Sequence, residues 1–200
     1  LFAALTLATT ACGGGGGGSR PGSDTATDVV STPPPATTTS VNSSGVITGF
    51  SSVYVNGTKY EVQSDTVVEV EDETEIAGDD SALKIGMRVK VRASEQGGIR
   101  TAQKIQYDDD LKGPVSEIAP DGLNPSLGTV NVLQQTVIVD GNTIMDSSIG
   151  DNNGDGTIDI LDLQLDGSTM VIEVSGLVVD SGFLATRIER CRGASGDPDV

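Results

Sequence analysis

The 200-residue chain has no histidine and no tryptophan, and only three phenylalanines and three tyrosines. Without imidazole it lacks the commonest general base and a favoured transition-metal ligand. Nucleophilic pairs of the Ser-His and Cys-His kind are excluded outright. The 3% aromatic content argues against a sugar-stacking cleft. Cysteine is limited to Cys12 and Cys191, too few for a disulfide framework. Positive charge is scarce as well: 12 Lys and Arg stand against 29 Asp and Glu, a net charge of -17. Such a chain repels phosphate backbones, so nucleic acid is not an expected partner. Carboxylates are so numerous that no pair can be singled out for acid-base work, and no enzymatic activity is expected.

What is present favours short strands. Apolar residues make up 36% of the chain, mostly Val, Ile, Leu and Ala, interrupted by 26 Gly and 8 Pro. The first stretch, "LFAALTLATTACGGGGGGS", joins an apolar run to small residues and then Cys12. That order reads as the end of a secretory signal peptide over residues 1–11, with its basic start missing. At eight to eleven residues the run is far shorter than the roughly 20 a membrane-spanning helix needs. "TTAC" before a glycine run resembles the lipobox of bacterial lipoproteins, although Thr9 stands where that family usually has Leu. The resemblance implies lipidation of Cys12, and with it an exported protein anchored to the membrane of the cell envelope. An ordinary signal peptide with an incidental Cys, or a Cys12–Cys191 disulfide, is the alternative. Residues 12–44, rich in Gly, Pro and Thr, offer no core to compensate the entropy of ordering and are expected to form a disordered tether.

The remainder repeats itself. "GMRVKVRASEQGGIRTAQKIQY" (86–107) and "GSTMVIEVSGLVVDSGFLATRIER" (167–190) each hold a glycine, an alternating strand, a turn and a second alternating strand. Val89 and Val91 correspond to Ile172 and Val174, and Ala102 and Ile105 to Ala185 and Ile188. In the first copy strands are expected near 46–50, 53–55, 58–62, 66–71, 87–93 and 99–106. Asn56-Gly57 marks a tight type I′ hairpin. "DDSALKIG" reads as one helical turn capped by Asp80 or Ser81 and ended by Gly86. Phe50, Tyr54 and Tyr60 are expected to pack the first core, and the charge runs "EVEDETE" and "YDDDLK" to be solvated edges. Strands this short at this spacing close into small barrels. The fold class expected is all-β: two tandem OB-like β-barrel repeats, at 45–108 and 113–191, after the tether.

"GVITGFSSVYVNGTKYEV", "LKIGMRVKV" and "DDDLKGPVSEI" resemble the tandem β-repeat domains of bacterial cell-envelope lipoproteins, classed as a domain of unknown function. The resemblance spans roughly residues 45–190 and implies small OB-type barrels, but it transfers no functional residue. In such arrays a segment like "RCRGASGDPDV" opens a linker, so residues 192–200 are expected to begin one and further repeats to follow.

One stretch points to chemistry. "DNNGDGTIDILD" (151–162) places Asp151, Asn153 and Asp155 at positions 1, 3 and 5 of a twelve-residue calcium loop. Gly156 takes the sharp turn at position 6, Thr157 offers its carbonyl at 7, and Asp159 and Asp162 fill 9 and 12. Asp162 stands where paired EF-hands usually carry Glu, and the flanking helices are missing. The stretch is thus similar to the solitary calcium loops of dockerins and related extracellular modules. Four carboxylates so close repel one another by about 1 kcal/mol per pair in water and up to about 4 near a protein surface, a cost one Ca2+ would remove. A solvated acidic turn is the other reading. The function expected is a non-enzymatic, membrane-anchored envelope lipoprotein with one structural calcium site and an unidentified protein or glycan partner. The alternative is a calcium-dependent surface adhesion or glycan- or protein-binding module, which an exposed aromatic near the loop, with Phe183 the only candidate, would favour.

Overall fold

The structure is a computed structural model of the chain and describes residues 37–70, 73–165 and 168–191. The signal-like segment 1–11, Cys12, the tether as far as residue 36, and residues 192–200 lie outside the described residues.

The first barrel is built from β1 (Thr39–Gly49), β2 (Val53–Val55), β3 (Thr58–Tyr60), β4 (Val67–Val70), β5 (Glu73–Ala77), β6 (Arg88–Gln96) and β7 (Ile99–Tyr107). Its strands lie in the order β3-β2-β1-β6-β7-β4-β5. The sheet closes where the chain leaving β3 meets β7 in parallel. There the Glu61 amide donates to the Arg100 carbonyl at 2.8 Å, and the Ala102 amide donates to the Glu61 carbonyl at 2.9 Å. The second barrel comprises β8 (Leu111–Pro120), β9 (Gly128–Val132), β10 (Gln135–Val139), β11 (Ile144–Met145), a 3-10 turn (Ile160–Leu163), the short pair β12 (Gln164–Leu165) and β13 (Ser168–Thr169), β14 (Val171–Val179) and β15 (Gly182–Arg190). It runs β10-β9-β8-β14-β15-β11 and closes through the parallel pairing of β10 with β15. In both, five principal strands follow the order first, second, third, fifth, fourth and back to the first. That is the five-stranded Greek-key arrangement of an OB-type barrel.

Alternation of side chains creates each interior. Along β6, Val89, Val91 and Ala93 point inward while Lys90 and Arg92 point out. Ala102, Ile105 and Tyr107 do the same on β7. The equivalent Ile172, Val174, Ala185 and Ile188 form the second core. Even the irregularities recur: β1 bulges between Ile47 and Gly49, as β8 does between Val115 and Glu117. Bulges sharpen the local twist and bend a strand enough to wrap a small core. Asn56 and Gly57 take φ of +48° and +76°, the positive pair a type I′ hairpin needs.

Four details differ from expectation. The first strand begins at Thr39, not near 45, because residues 39–44 pair with Lys90–Glu95 of β6 despite their polar composition. The charge run after Val70 contributes β5, an edge strand held to β4 by backbone pairing (Val67 with Ala77, Val68 with Ile76). Charges suit an edge, where they discourage further strand addition. "DDSALKIG" forms no helix but two successive turns, with the Leu83 amide donating to the Asp80 carbonyl and the Met87 amide to the Lys84 carbonyl. One helical turn is costly to nucleate, and here Leu83 and Met87 are instead drawn into the first core as its plug. Phe50 lies in the β1–β2 turn and is 41% exposed, while Tyr60 and Tyr107 supply the buried aromatics.

The barrels meet through a polar clamp. Lys84 pairs with Glu189 at 2.5 Å, Arg187 with Asp146 and with Glu189 (3.2 Å), and the Arg187 guanidinium also donates to the Ile85 carbonyl at 3.0 Å. Gly86 (φ +89°) is required beside it, since a Cβ there would lie 2.8 Å from the Thr186 carbonyl oxygen. Two cations face two carboxylates, so the clamp is neutral as a set. Removing one partner strands a buried opposite charge, which typically costs about 3–5 kcal/mol. Arg187 is 5% exposed, so Arg187→Ala should lower stability by about that amount. Chemical denaturation should show one cooperative transition for the parent chain and an earlier, broader or split one for the variant.

Candidate functional site

The acidic loop sits between β11 and the 3-10 turn and is anchored at both ends in the second core. Ile149 precedes it, Ile160 lies near its end and Leu163 follows it, all buried. Asp159 caps the 3-10 turn, its carboxylate accepting from the Leu161 amide at 2.8 Å. Asp162 is fully buried. One of its oxygens accepts from the Asn152 and Asn153 amides at 2.7 and 3.1 Å, and the other from the Asp159 amide at 2.9 Å. Three N–H donors offset the cost of burying that charge.

The outer half of the loop is exposed. Asp151 accepts from the Gly154 and Gly156 amides at 2.7 and 2.9 Å, and both glycines have positive φ. Asn153 accepts from the Asp155 amide at 2.9 Å. Asp155 accepts from the Thr157 amide and hydroxyl, which hold its carboxyl below the usual carboxylate value. The twelve residues thus fold as one compact loop in which the carboxylates face backbone donors. Among the described residues no three His, Cys, Asp or Glu side chains converge on a point that could hold a metal. The oxygens a calcium ion would take are assembled in one loop; the converging cage is not. Phe183, the one aromatic considered near the loop, is half-buried and packs against the second core.

The junction between the barrels encloses a second candidate, a polar cavity of about 430 Å³ lined by Lys84, Tyr107, Lys112, Glu173 and Glu189 among others. Sequence patterning could not have found it, because its residues come from both repeats. Each carboxylate there has a cation: Glu173 meets Lys112 at 2.6 Å and Glu189 meets Lys84. Burial pushes the Tyr107 phenol well above its ordinary value, and it is bonded to Ser175 at 3.3 Å. The arrangement holds the two barrels together. In the short link between β7 and β8, one Asp109 oxygen is buried without a hydrogen-bond partner. Burial raises the Asp109 carboxyl above its ordinary value, against the pull of Lys112. An acid whose pKa is raised by folding favours the folded state at low pH and opposes it as pH rises through the raised value. Asp109→Asn should therefore raise the melting temperature at neutral pH, and the gain should vanish below pH 3.8, the ordinary value for this group.

Comparison with known proteins places this architecture. No curated protein and no solved structure matches the chain. A family described as "Domain of unknown function (DUF5666)" matches it twice in tandem, over residues 40–106 and 112–189. Those spans coincide with the two barrels, β1–β7 and β8–β15. The chain belongs to that family and carries two copies of its domain.

Proposed function

We propose that the chain is a non-enzymatic, membrane-anchored envelope lipoprotein whose paired barrels form a rigid display module, stabilised by one calcium ion in the loop 151–162. Lipidation at Cys12 supplies the anchor, and the Gly- and Pro-rich stretch behind it holds the barrels away from the membrane. The observation that carries the calcium reading is the outer half of the loop. Asp151, Asn153 and Asp155 keep the full spacing of a calcium loop in an exposed turn that the core does not require. Asp162 and Asp159 are fixed beneath it by the 3-10 turn. Binding would exchange backbone N–H donors for the cation at Asp151 and Asp155, with Asn153, the Thr157 carbonyl, Asp159 and Asp162 completing the oxygen set. The -17 net charge supports the same reading, since it raises the local concentration of cations.

A ligand that binds only the folded state raises stability in proportion to the logarithm of its concentration above the dissociation constant. Titrating calcium into the chain should give one binding event and a melting temperature that climbs with calcium and falls back in chelator. In Asp151→Ala, Asp155→Ala the binding event should disappear while the calcium-free melting temperature moves little. No heat and no stabilisation at several times the millimolar affinity typical of extracellular modules would leave the loop a polar turn.

A further inference from the structure

Strand register gives both barrels the same hairpin but a different neighbour along its edge. Ala93 lies opposite Ala102 as Gly176 lies opposite Ala185, so Ser94, Glu95 and Gln96 of β6 correspond to Leu177, Val178 and Val179 of β14. In the first barrel this end of the strand is covered, since Val41, Ser40 and Thr39 pair with Ala93, Ser94 and Glu95. In the second it is open. Gly45 lies opposite Val89 as Gly113 lies opposite Ile172. Counting back from Gly113 puts Asp109, Asp108 and Tyr107 at the positions of Val41, Ser40 and Thr39. Tyr107 is the last residue of β7, and residues 108–110 alone separate it from β8. This stretch returns from the first barrel, so it cannot also run beside β14. β8 accordingly pairs with Val171–Val174 of β14 and no further.

The backbone of the uncovered end is aimed outward. The Met170 and Val174 carbonyls accept from the Val115 and Asp110 amides on the β8 side, at 2.9 and 3.1 Å. The Val171 carbonyl accepts from the Cys191 amide on the β15 side, at 2.9 Å. Successive residues of the strand thus bond to opposite neighbours. The Gly176 amide, next in the outward set, donates to the Asp110 carboxylate at 3.1 Å. Val178 follows it, and among the described residues nothing pairs with its amide or its carbonyl. Val178 is 85% exposed, and Leu177 beside it is exposed as well. An apolar edge with free backbone groups is a template for another strand. The first barrel carries Glu95 at the same position, tied to Arg100 at 2.7 Å.

We propose that this edge pairs with the same edge of a second copy of the chain, antiparallel about a two-fold axis at Val178. The edge is complementary to itself. Val178 offers one donor and one acceptor on the open side, so the Val178 residues of two copies satisfy each other reciprocally. That register sets Val178 opposite Val178, Leu177 opposite Val179 and Gly176 opposite Asp180, and no two like charges meet. Phe183, which lies opposite Val178 across the hairpin, extends the apolar contact on the same face. Identical surfaces close on themselves, so the assembly is a dimer and not a filament. It uses neither the acidic loop nor the clamp and stands independently of calcium.

Sedimentation of the full chain tests it. The mass should rise with concentration from monomer to dimer and stop there. Added salt should strengthen the dimer, because each copy carries a net charge of -17 and screening removes their repulsion. V178E, which copies the residue of the first barrel, should stay monomeric with a melting temperature close to that of the parent. In the full chain with C12S and C191S, V178C should form an interchain disulfide in air. Opposed residues of such a pair lie about 5.5 Å apart at Cα, within the span of a disulfide. L123C, at a side chain 98% exposed elsewhere on the second barrel, should not cross-link. A parent chain that is monomeric at every salt concentration overturns the proposal, including one whose Val178 amide resists hydrogen exchange because its own residues 1–36 cover the edge. So does a V178E chain that dimerises like the parent, or cross-linking at L123C as extensive as at V178C.

Discussion

Both barrels depend on one parallel contact, made where the chain leaving the third strand crosses to the fifth. The Glu61–Thr101 bridge makes it in the first barrel and the pairing of Ile138 with Leu184 in the second. Without it each sheet would be open and would expose two long edges. Closure has a further consequence. The chain must run from the third barrel strand to the fourth across an open end, and that end must be filled. Leu83 and Met87 fill the first barrel, while Ile149, Ile160 and Leu163 fill the second. The crossing segment is thus constrained at its apolar anchors and free between them. This is where the copies diverge: one inserts the β5 hairpin, the other the acidic loop.

A barrel of this size buries a small core and has modest stability alone. The two copies lean on each other through Lys84, Asp146, Arg187 and Glu189. An apolar contact of the same area would generally match or exceed the stability of such a clamp, because desolvation consumes much of the Coulombic gain. Its value lies in orientation. Arg187 spans both barrels, bonding Asp146 on one side and the Ile85 carbonyl on the other, and Gly86 admits the close approach. Few alternative placements would satisfy all of these groups at once.

The inward positions were legible in the sequence because period-two alternation is local: Val89, Val91, Ala102 and Ile105, and their partners in the second copy, are all buried. The Asn56-Gly57 turn was legible for the same reason. What sequence reading missed was decided at a distance. Residues 39–44 are polar except for Val41, which packs against the first core, and they extend β1 because β6 is long enough to pair with them. Glu73–Ala77 reads as a charge run until β4 offers it an edge. Leu83 and Met87 satisfy a helical spacing as readily as two turns, and the need to plug the barrel selects the turns. The junction has no sequence signature, since neither repeat contains both halves of it.

The acidic loop was legible in spacing but not in chemistry, because the same residues serve two ends. Aspartate and asparagine favour turns by accepting backbone N–H donors two or three residues on, and they favour calcium by offering oxygens at the same offsets. The six residues divide by burial. Asp162, fully enclosed and held by three amides, and Asp159, which caps the 3-10 turn, are needed for the chain to cross the barrel end with or without a metal. Asp151, Asn153, Asp155 and Thr157 lie in the exposed half, their side chains bonded only within their own turn. The fold of the first barrel shows that the crossing can be made without them. Their spacing satisfies the turn by itself, and the proposed calcium ion would give the same spacing a second use.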